Sequence, residues 1–215
     1  CAAGWGVAVF RDQRHLDPSE EENLNPTLEL ITGIFGPVET KHKEQHFLGA
    51  EYGSNNTGEL TAICEALKWI IANEELKQVA LYYDSKYAAK ITTGEYTAQS
   101  NKYLATKART LLQQARNTKT IRFEHIKGHS GDTGNDAADE LANKGAKGQS
   151  CRNLEEWNNI KHTHPETPEP IVNTPTRNIN RPQRIITYTR NTDEIRIPLP
   201  SYGQGSTRRA RFAFG

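Results

Sequence analysis

The chain has 215 residues, with 27 Lys+Arg against 26 Asp+Glu and a formal net charge of +1, which leaves room for one domain with an appendage or for two small domains. So even a balance excludes a global basic field for gripping nucleic acid, and any such surface has to be local. Hydrophobic residues make up 35% of the chain; they are concentrated in its first two-thirds, where they can build a core.

Ala3–Phe10 is a short aromatic and β-branched run that reads as a strand. Arg11–Pro26 is polar, acidic around Glu20–Glu22 and punctuated by Pro18 and Pro26, so it reads as a loop. Leu28–Val38 and Phe47–Tyr52 look like strand pieces separated by the charged stretch Glu39–His46. Gly58–Asn73 then switches to helical period, with Leu60, Ile63, Cys64, Leu67, Ile70 and Ile71 forming one apolar stripe. Val79–Tyr83 is a compact buried-strand candidate, and a short helix runs from Ser85 towards Thr92. Gly94–Asn101 breaks that helix before a longer one over Tyr103–Arg116. Thr120–Ile126 is another strand, and Thr133–Ala146 a closing helix with Ala138, Leu141, Ala142 and Gly145 on one face. Strand, helix, strand, helix after an initial meander predicts an α/β sheet that mixes antiparallel and parallel strands.

After Gly148 the character changes. Residues 151–215 hold seven of the ten prolines and ten basic side chains against six acidic ones. The expected organisation is a folded domain over 1–148 and a Pro/Asn/Arg-rich tail over 149–215, mostly disordered, with a hairpin over Arg184–Ile197 as the exception. Cys1, Cys64 and Cys151 show no CxxC spacing, which supports neither a disulfide framework nor a zinc site and favours a reducing, intracellular compartment, nucleus or cytoplasm. No apolar run approaches the roughly 18 residues needed to span a bilayer, so no membrane partner is expected. Met is absent, so the chain reads as a piece of a longer protein.

Three carboxylates stand out, each with a plain alternative. Glu59 lies near the start of the amphipathic helix, where the macrodipole favours any acid. Asp84 ends an apolar strand and can equally cap the helix that follows. Asp139 lies in an Ala-rich helix, where an exposed carboxylate is ordinary. Together they have a shared rationale, because a carboxylate at the C-terminal end of a parallel strand sits at the usual active-site edge of an α/β sheet. Clustered carboxylates repel unless divalent cations neutralise them, and oxygen-only ligands select hard ions such as Mg²⁺ or Mn²⁺. A single metal or a structural cation is the alternative to a catalytic pair.

The order and spacing of Gly53-Ser54-Asn55-Asn56-Thr57-Gly58-Glu59-Leu60, Val79-Ala80-Leu81-Tyr82-Tyr83-Asp84-Ser85 and Lys127-Gly128-His129-Ser130-Gly131 through Asp136 and Asp139 resemble ribonuclease H of type 1. The resemblance covers residues 3–148. It implies a mixed five-stranded sheet of order 3-2-1-4-5 flanked by helices, and endonucleolytic cleavage of the RNA strand of RNA–DNA hybrids with two Mg²⁺ or Mn²⁺ ions. Glu59, Asp84 and Asp139 then match metal-binding catalytic carboxylates, Asp136 an additional acid near the metals, and His129 a mobile-loop histidine that assists proton transfer or product release. Asn55 and Asn56 match the pair that reads 2′-hydroxyls, for which amides carry both donors and acceptors; a turn with a helix cap is their other reading. Ser54, Ser85, Lys86 and Asn101 fall in regions that contact nucleic acid, Lys86 where a neutral residue is usual.

The resemblance also has a gap. Ala3–Phe10 matches the family's second strand, so strand 1, which carries a first catalytic aspartate, is absent from this chain. The chain alone is therefore expected to be incompletely folded and inactive, with a gap or a non-native neighbour between Ala3–Phe10 and Val79–Tyr83. The tract from Phe35-Gly36-Pro37-Val38 to Phe47-Leu48-Gly49-Ala50 is most similar to ribonuclease H domains of retroelement-derived protist sequences, which implies a fused or partner reverse transcriptase; a cellular enzyme is the other reading. The competing function is a catalytically inactive nucleic-acid-binding or structural domain of a reverse transcriptase-like protein.

Overall fold

The computed structural model of the chain describes residues 3–12, 28–126, 133–163 and 195–198. Strand β1 (Gly4–Asp12) pairs antiparallel with β2 (Leu28–Pro37), with a register shift between Val9 and Phe10. Helix α1 (Asn55–Ala72) leads to β3 (Gln78–Tyr83), α2 (Lys86–Thr93), α3 (Lys102–Arg116) and β4 (Thr120–His125), which pairs in parallel with β3. Helices α4 (Thr133–Ala146) and α5 (Leu154–Thr163) follow, and the last strand is β5 (Ile195–Pro198). The sheet order is β2-β1-β5-β3-β4. Among the described residues no helix is long and apolar enough to cross a membrane.

The period-two alternation of β1 sorts its side chains onto two faces. Trp5, Val7 and Val9 join the larger core with Leu60, Ile63, Leu67 and Ile70 of α1, Val79 and Leu81 of β3, and Leu104, Ala108 and Leu111 of α3. Ala8 and Phe10 point the other way, into a smaller core with Ala138 and Leu141 of α4 and Trp157 of α5. On that second face Gly6 is required by close approach: a Cβ there would lie 2.5 Å from the Ala142 nitrogen and 2.7 Å from the Ala138 oxygen. The helix thus rests its backbone directly on β1, which fixes how near α4 comes to the sheet.

One expectation is corrected, and two segments take places that local composition does not announce. Phe47–Tyr52 is not a strand but part of an irregular connection between β2 and α1. Gly49 has φ +106°, outside the extended region, and its Cα lies against the start of α3, where a Cβ would meet the Leu104 nitrogen at 2.8 Å. Just past Gly148 the described chain packs back onto the domain. Cys151 and Phe35 exchange two backbone hydrogen bonds of 2.9 Å, so this segment seals the outer edge of β2. Arg152 then reaches Glu65 of α1 at 3.0 Å and Glu39 at 3.6 Å, with its guanidinium 4.9 Å from the Trp5 ring centroid. α5 adds Trp157 to the second core. Local composition underestimates these contacts because only a few residues make them.

The centre of the sheet is filled from the far end of the chain. Of the expected Arg184–Ile197 hairpin, residues 184–194 lie outside the described residues, and among the described residues Ile195–Pro198 pairs with β1 and β3. It lies antiparallel to β1, through Phe10↔Arg196 and Arg11↔Ile195. It runs parallel to β3 from Val79↔Ile195 to Tyr82↔Pro198. The place between β1 and β3, expected to show a gap or a non-native neighbour, holds a neighbour of the second kind, the segment Ile195–Pro198.

Candidate acidic site

The site begins at the carboxyl edge of the parallel strands. Val79, Ala80 and Leu81 anchor β3 in the core, so Asp84, directly after the strand, is held at its end. Ser85, not Asp84, caps α2: its Oγ accepts from the Ala88 N–H at 3.3 Å. Asp84 is thereby released from the capping role that sequence alone left open.

The start of α1 supplies the second carboxylate. Ser54 caps this helix in extended conformation, its Oγ accepting from the Thr57 N–H at 3.2 Å while the Ser54 N–H donates to Thr57 Oγ1 at 2.8 Å. This reciprocal box starts the helix at Asn55, three residues earlier than its apolar period announces. Glu59 consequently lies beyond the first turn, which holds no acid, and the macrodipole accounts for little of its placement. Its surroundings account for more. Burial pushes the Glu59 carboxyl up to about 7, a side-chain hydrogen bond with Ser85 acts in the opposite direction, and the charge of Asp84 raises it further. Its Oε2 is buried with no hydrogen-bond partner.

Glu59, Asp84 and Ser85 are therefore one interacting group, formed where the start of α1 meets the end of β3. An oxygen-only donor set with an orphaned, desolvated carboxylate oxygen fits a hard divalent cation, which would satisfy Oε2 and favour the ionised acid. Among the described residues no group of three or more His, Cys, Asp or Glu that could hold a metal ion is found. Asp139 is half-buried on α4, which packs on β1 and β2, and Asp136 is exposed in the first turn of that helix. His129, within 127–132, lies outside the described residues.

The expected nucleic-acid contacts divide. Asn55 and Asn56 are exposed in the first turn of α1, at the helix end that carries Glu59, and Lys86 is exposed at the start of α2. Asn101 is a brace. It is 4% exposed, has φ 53°, and accepts from the Glu51 N–H at 2.8 Å, while beside it Tyr52 Oη and Ser100 Oγ lie 3.0 Å apart. Sequence reasoning missed the link from Ser85 to Glu59, because helix-capping signals alone do not say which distant carboxylate shares the capping hydroxyl. It also missed the capping box, whose Thr57 stands where the usual signature has Glu or Gln.

A mixed α/β sheet with helices on both faces and an acidic pair at its carboxyl edge places the chain in the class of ribonuclease H-like folds. The sequence model described as RNase H matches residues 5–147. The chain belongs to the ribonuclease H family. Ribonuclease H of Saccharomyces cerevisiae is 32% identical over 134 residues, covering 52% of this chain and 38% of the yeast protein's length. Ribonuclease H of Acidovorax sp. is 36% identical over 118 residues, covering 48% of this chain and 76% of that protein. Among solved structures, RNase H1 of Halobacterium salinarum matches with a TM-score of 0.41 at 20% identity, over 56% of this chain and 78% of that one.

Proposed function

We propose that this domain hydrolyses the RNA strand of RNA–DNA hybrids endonucleolytically, using divalent cations held by Glu59 and Asp84 together with Asp139. The observation that carries the proposal is the coupled Glu59–Asp84 pair, desolvated and electrostatically linked at the carboxyl edge of the sheet, in a chain of the ribonuclease H family. Glu59, Asp84 and Asp139 would hold Mg²⁺ or Mn²⁺, which would supply Lewis acidity at the scissile phosphate and, as a pair, would support in-line displacement.

The chain's own residues divide the remaining work. Ser85 orients Glu59 through its hydroxyl while capping α2. Asp84 keeps negative charge beside Glu59, and the Glu59 carboxyl, held near neutrality, changes charge readily when a cation arrives. Asn55 and Asn56, exposed at the start of α1, offer amide donors and acceptors to 2′-hydroxyls that DNA lacks. Asp136 and His129 belong to the same reading, as an accessory acid and a proton-transfer or product-release group.

A second reading has its own observation. The central strand Ile195–Pro198 brings no carboxylate to the sheet, and no acidic trio forms among the described residues. A domain that binds hybrids without cutting them, within a reverse transcriptase-like protein, fits those facts. One assay separates the readings: the native protein containing these residues is incubated in Mg²⁺ with end-labelled hybrid, DNA duplex and RNA duplex of one sequence. Cleavage of the RNA strand of the hybrid alone is the result expected. Binding without cleavage selects the second reading, and equal cutting of all three overturns both.

A further inference from the structure

Glu39 is held twice. Its Oε1 lies 3.6 Å from an Arg152 guanidinium nitrogen, and its Oε2 accepts from the His46 N–H at 2.7 Å. Arg152 also reaches Oε1 of Glu65, on α1, at 3.0 Å. One guanidinium therefore grips both the first part of the irregular connection between β2 and α1 and the helix into which that connection leads. The far part of the connection is fastened to α3, where the Glu51 N–H donates to Asn101 Oδ1 at 2.8 Å. Just beyond Glu51 come the Ser54 cap and then Asn55, Asn56 and Glu59.

Arg152 is itself firmly seated. Cys151 before it exchanges backbone hydrogen bonds with Phe35 of β2. After it, Asn153 Oδ1 accepts from the Glu156 N–H at 2.8 Å, while Glu156 Oε2 accepts from the Arg152 N–H. The surface of β2 leaves room for this segment. A Cβ on Gly33 would lie 2.8 Å from the Trp157 ring, and one on Gly36 would lie 3.1 Å from an Arg152 guanidinium nitrogen. Glycines thus face the Trp and the Arg of the segment, a fit in shape that chance adjacency does not give. Yet Cys151, Arg152 and Trp157 all lie past residue 147, where the match to the RNase H model ends.

We propose that Arg152 is a positioning residue: through Glu39 and Glu65 it ties the β2–α1 connection and α1 into one piece, and so sets the start of α1 from outside the span that the family model matches. The consequence for substrate, through Asn55 and Asn56, rests on the function proposed above; the coupling itself does not. A guanidinium suits the task, because its planar fork spans two carboxylates between which a single ammonium would have to choose. Lys68, the other partner of Glu65 at 2.8 Å, is also on α1 and ties the helix only to itself.

The experiment uses the full chain and amide hydrogen exchange at His46, Glu51 and Thr57, read against Ile121–Phe123 of β4 at the other side of the sheet. Thr57 reports the start of α1, because its N–H donates to Ser54 Oγ. R152A should speed His46 on the order of tenfold, and Glu51 and Thr57 severalfold, relative to β4, the scale of one lost hydrogen bond. E39Q, which keeps shape and removes the charge that Arg152 holds, should give the same pattern more weakly. The double variant should be no faster than R152A alone, since both changes act on one link. In hybrid cleavage, E39Q should raise KM about threefold or more with kcat within about twofold, as a loss of uniform binding does. Unchanged exchange at the three amides in folded R152A overturns the proposal, and so do additive effects in the double variant. If R152A does not fold, E39Q decides by the same amides. An unchanged KM in E39Q overturns the link to substrate. A chain with the expected exchange pattern that never cuts a hybrid would refute the proposed activity and leave the positioning role standing.

Discussion

Glu59 and Asp84, one from the second turn of α1 and one from the end of β3, sense each other's charge: Asp84 helps hold the Glu59 carboxyl up at about 7. Burial is the larger cause, and Ser85 works against both. The pair is the point where helix capping, strand register and electrostatics meet, and several consequences can be measured.

The first concerns pH and stability. Glu59 has its folded value raised from 4.5 to about 7, so between these limits the unfolded chain releases a proton that the folded chain retains. The contribution of Glu59 to stability is therefore full below the unfolded value, falls as pH rises through this window, and levels off above it. E59Q, which is never ionised, should be more stable than the parent at pH 8 by on the order of 2 kcal/mol, and close to it at pH 4.5. Urea denaturation of both proteins at the two pH values measures the difference.

The second concerns metal. A divalent cation bound by the ionised pair should raise the thermal midpoint at pH 8, because a ligand that binds only the folded state stabilises it by mass action. D84N removes charge and keeps shape, so it should lose this Mg²⁺ response and lower hybrid cleavage at least about a hundredfold, in line with the loss of a major electrostatic contributor. Scanning calorimetry with and without Mg²⁺ reads the first effect, and single-turnover cleavage reads the second.

The third concerns the seat of α4. G6A drives a methyl group into the backbone of α4 at Ala138 and Ala142. It should cost about 2–3 kcal/mol, as overpacking without room to relax does. Denaturant midpoints give the cost, and faster amide exchange through Ala138–Ala142 locates it.

The fourth concerns the clamp beyond Gly148. R152A leaves Glu65, which is only 5% exposed, with Lys68 at 2.8 Å as its remaining partner. Breaking a buried pair commonly costs 3–5 kcal/mol; with Lys68 retained, about 2–3 kcal/mol is expected for R152A. Because Arg152 also covers Trp5, a change in tryptophan emission should accompany the lowered midpoint.

Much of the fold is local and could be read from the sequence. The apolar stripe of α1, the Leu104–Ala115 face of α3 and the buried run Val79–Leu81 each carry a period that fixes their element and face. β5 reads from the sequence as one arm of a hairpin, but its place in the sheet does not. Ile195–Pro198 is short, contains an Arg and ends in Pro, and its pairing depends on a slot between two distant strands. Phe47–Tyr52 failed for the opposite reason, since its composition suits a strand but the chain there is irregular, with Gly49 at φ +106° against the start of α3. At the site, Glu59 and Asp84 stood out by motif and by the logic of strand ends. Their link through Ser85 depends on three-dimensional proximity that no spacing rule encodes.

The most direct test of the acidic pair is carbon-detected NMR titration of the Glu59 side-chain carboxyl in the unaltered chain, in D84N, and in the unaltered chain with saturating Mg²⁺. The account predicts a midpoint near 7 that falls in D84N, where the neighbouring charge is gone, and falls further when Mg²⁺ favours the ionised form. A midpoint in the ordinary carboxylate range, indifferent both to Asp84 and to Mg²⁺, would show that Glu59 and Asp84 do not form a site.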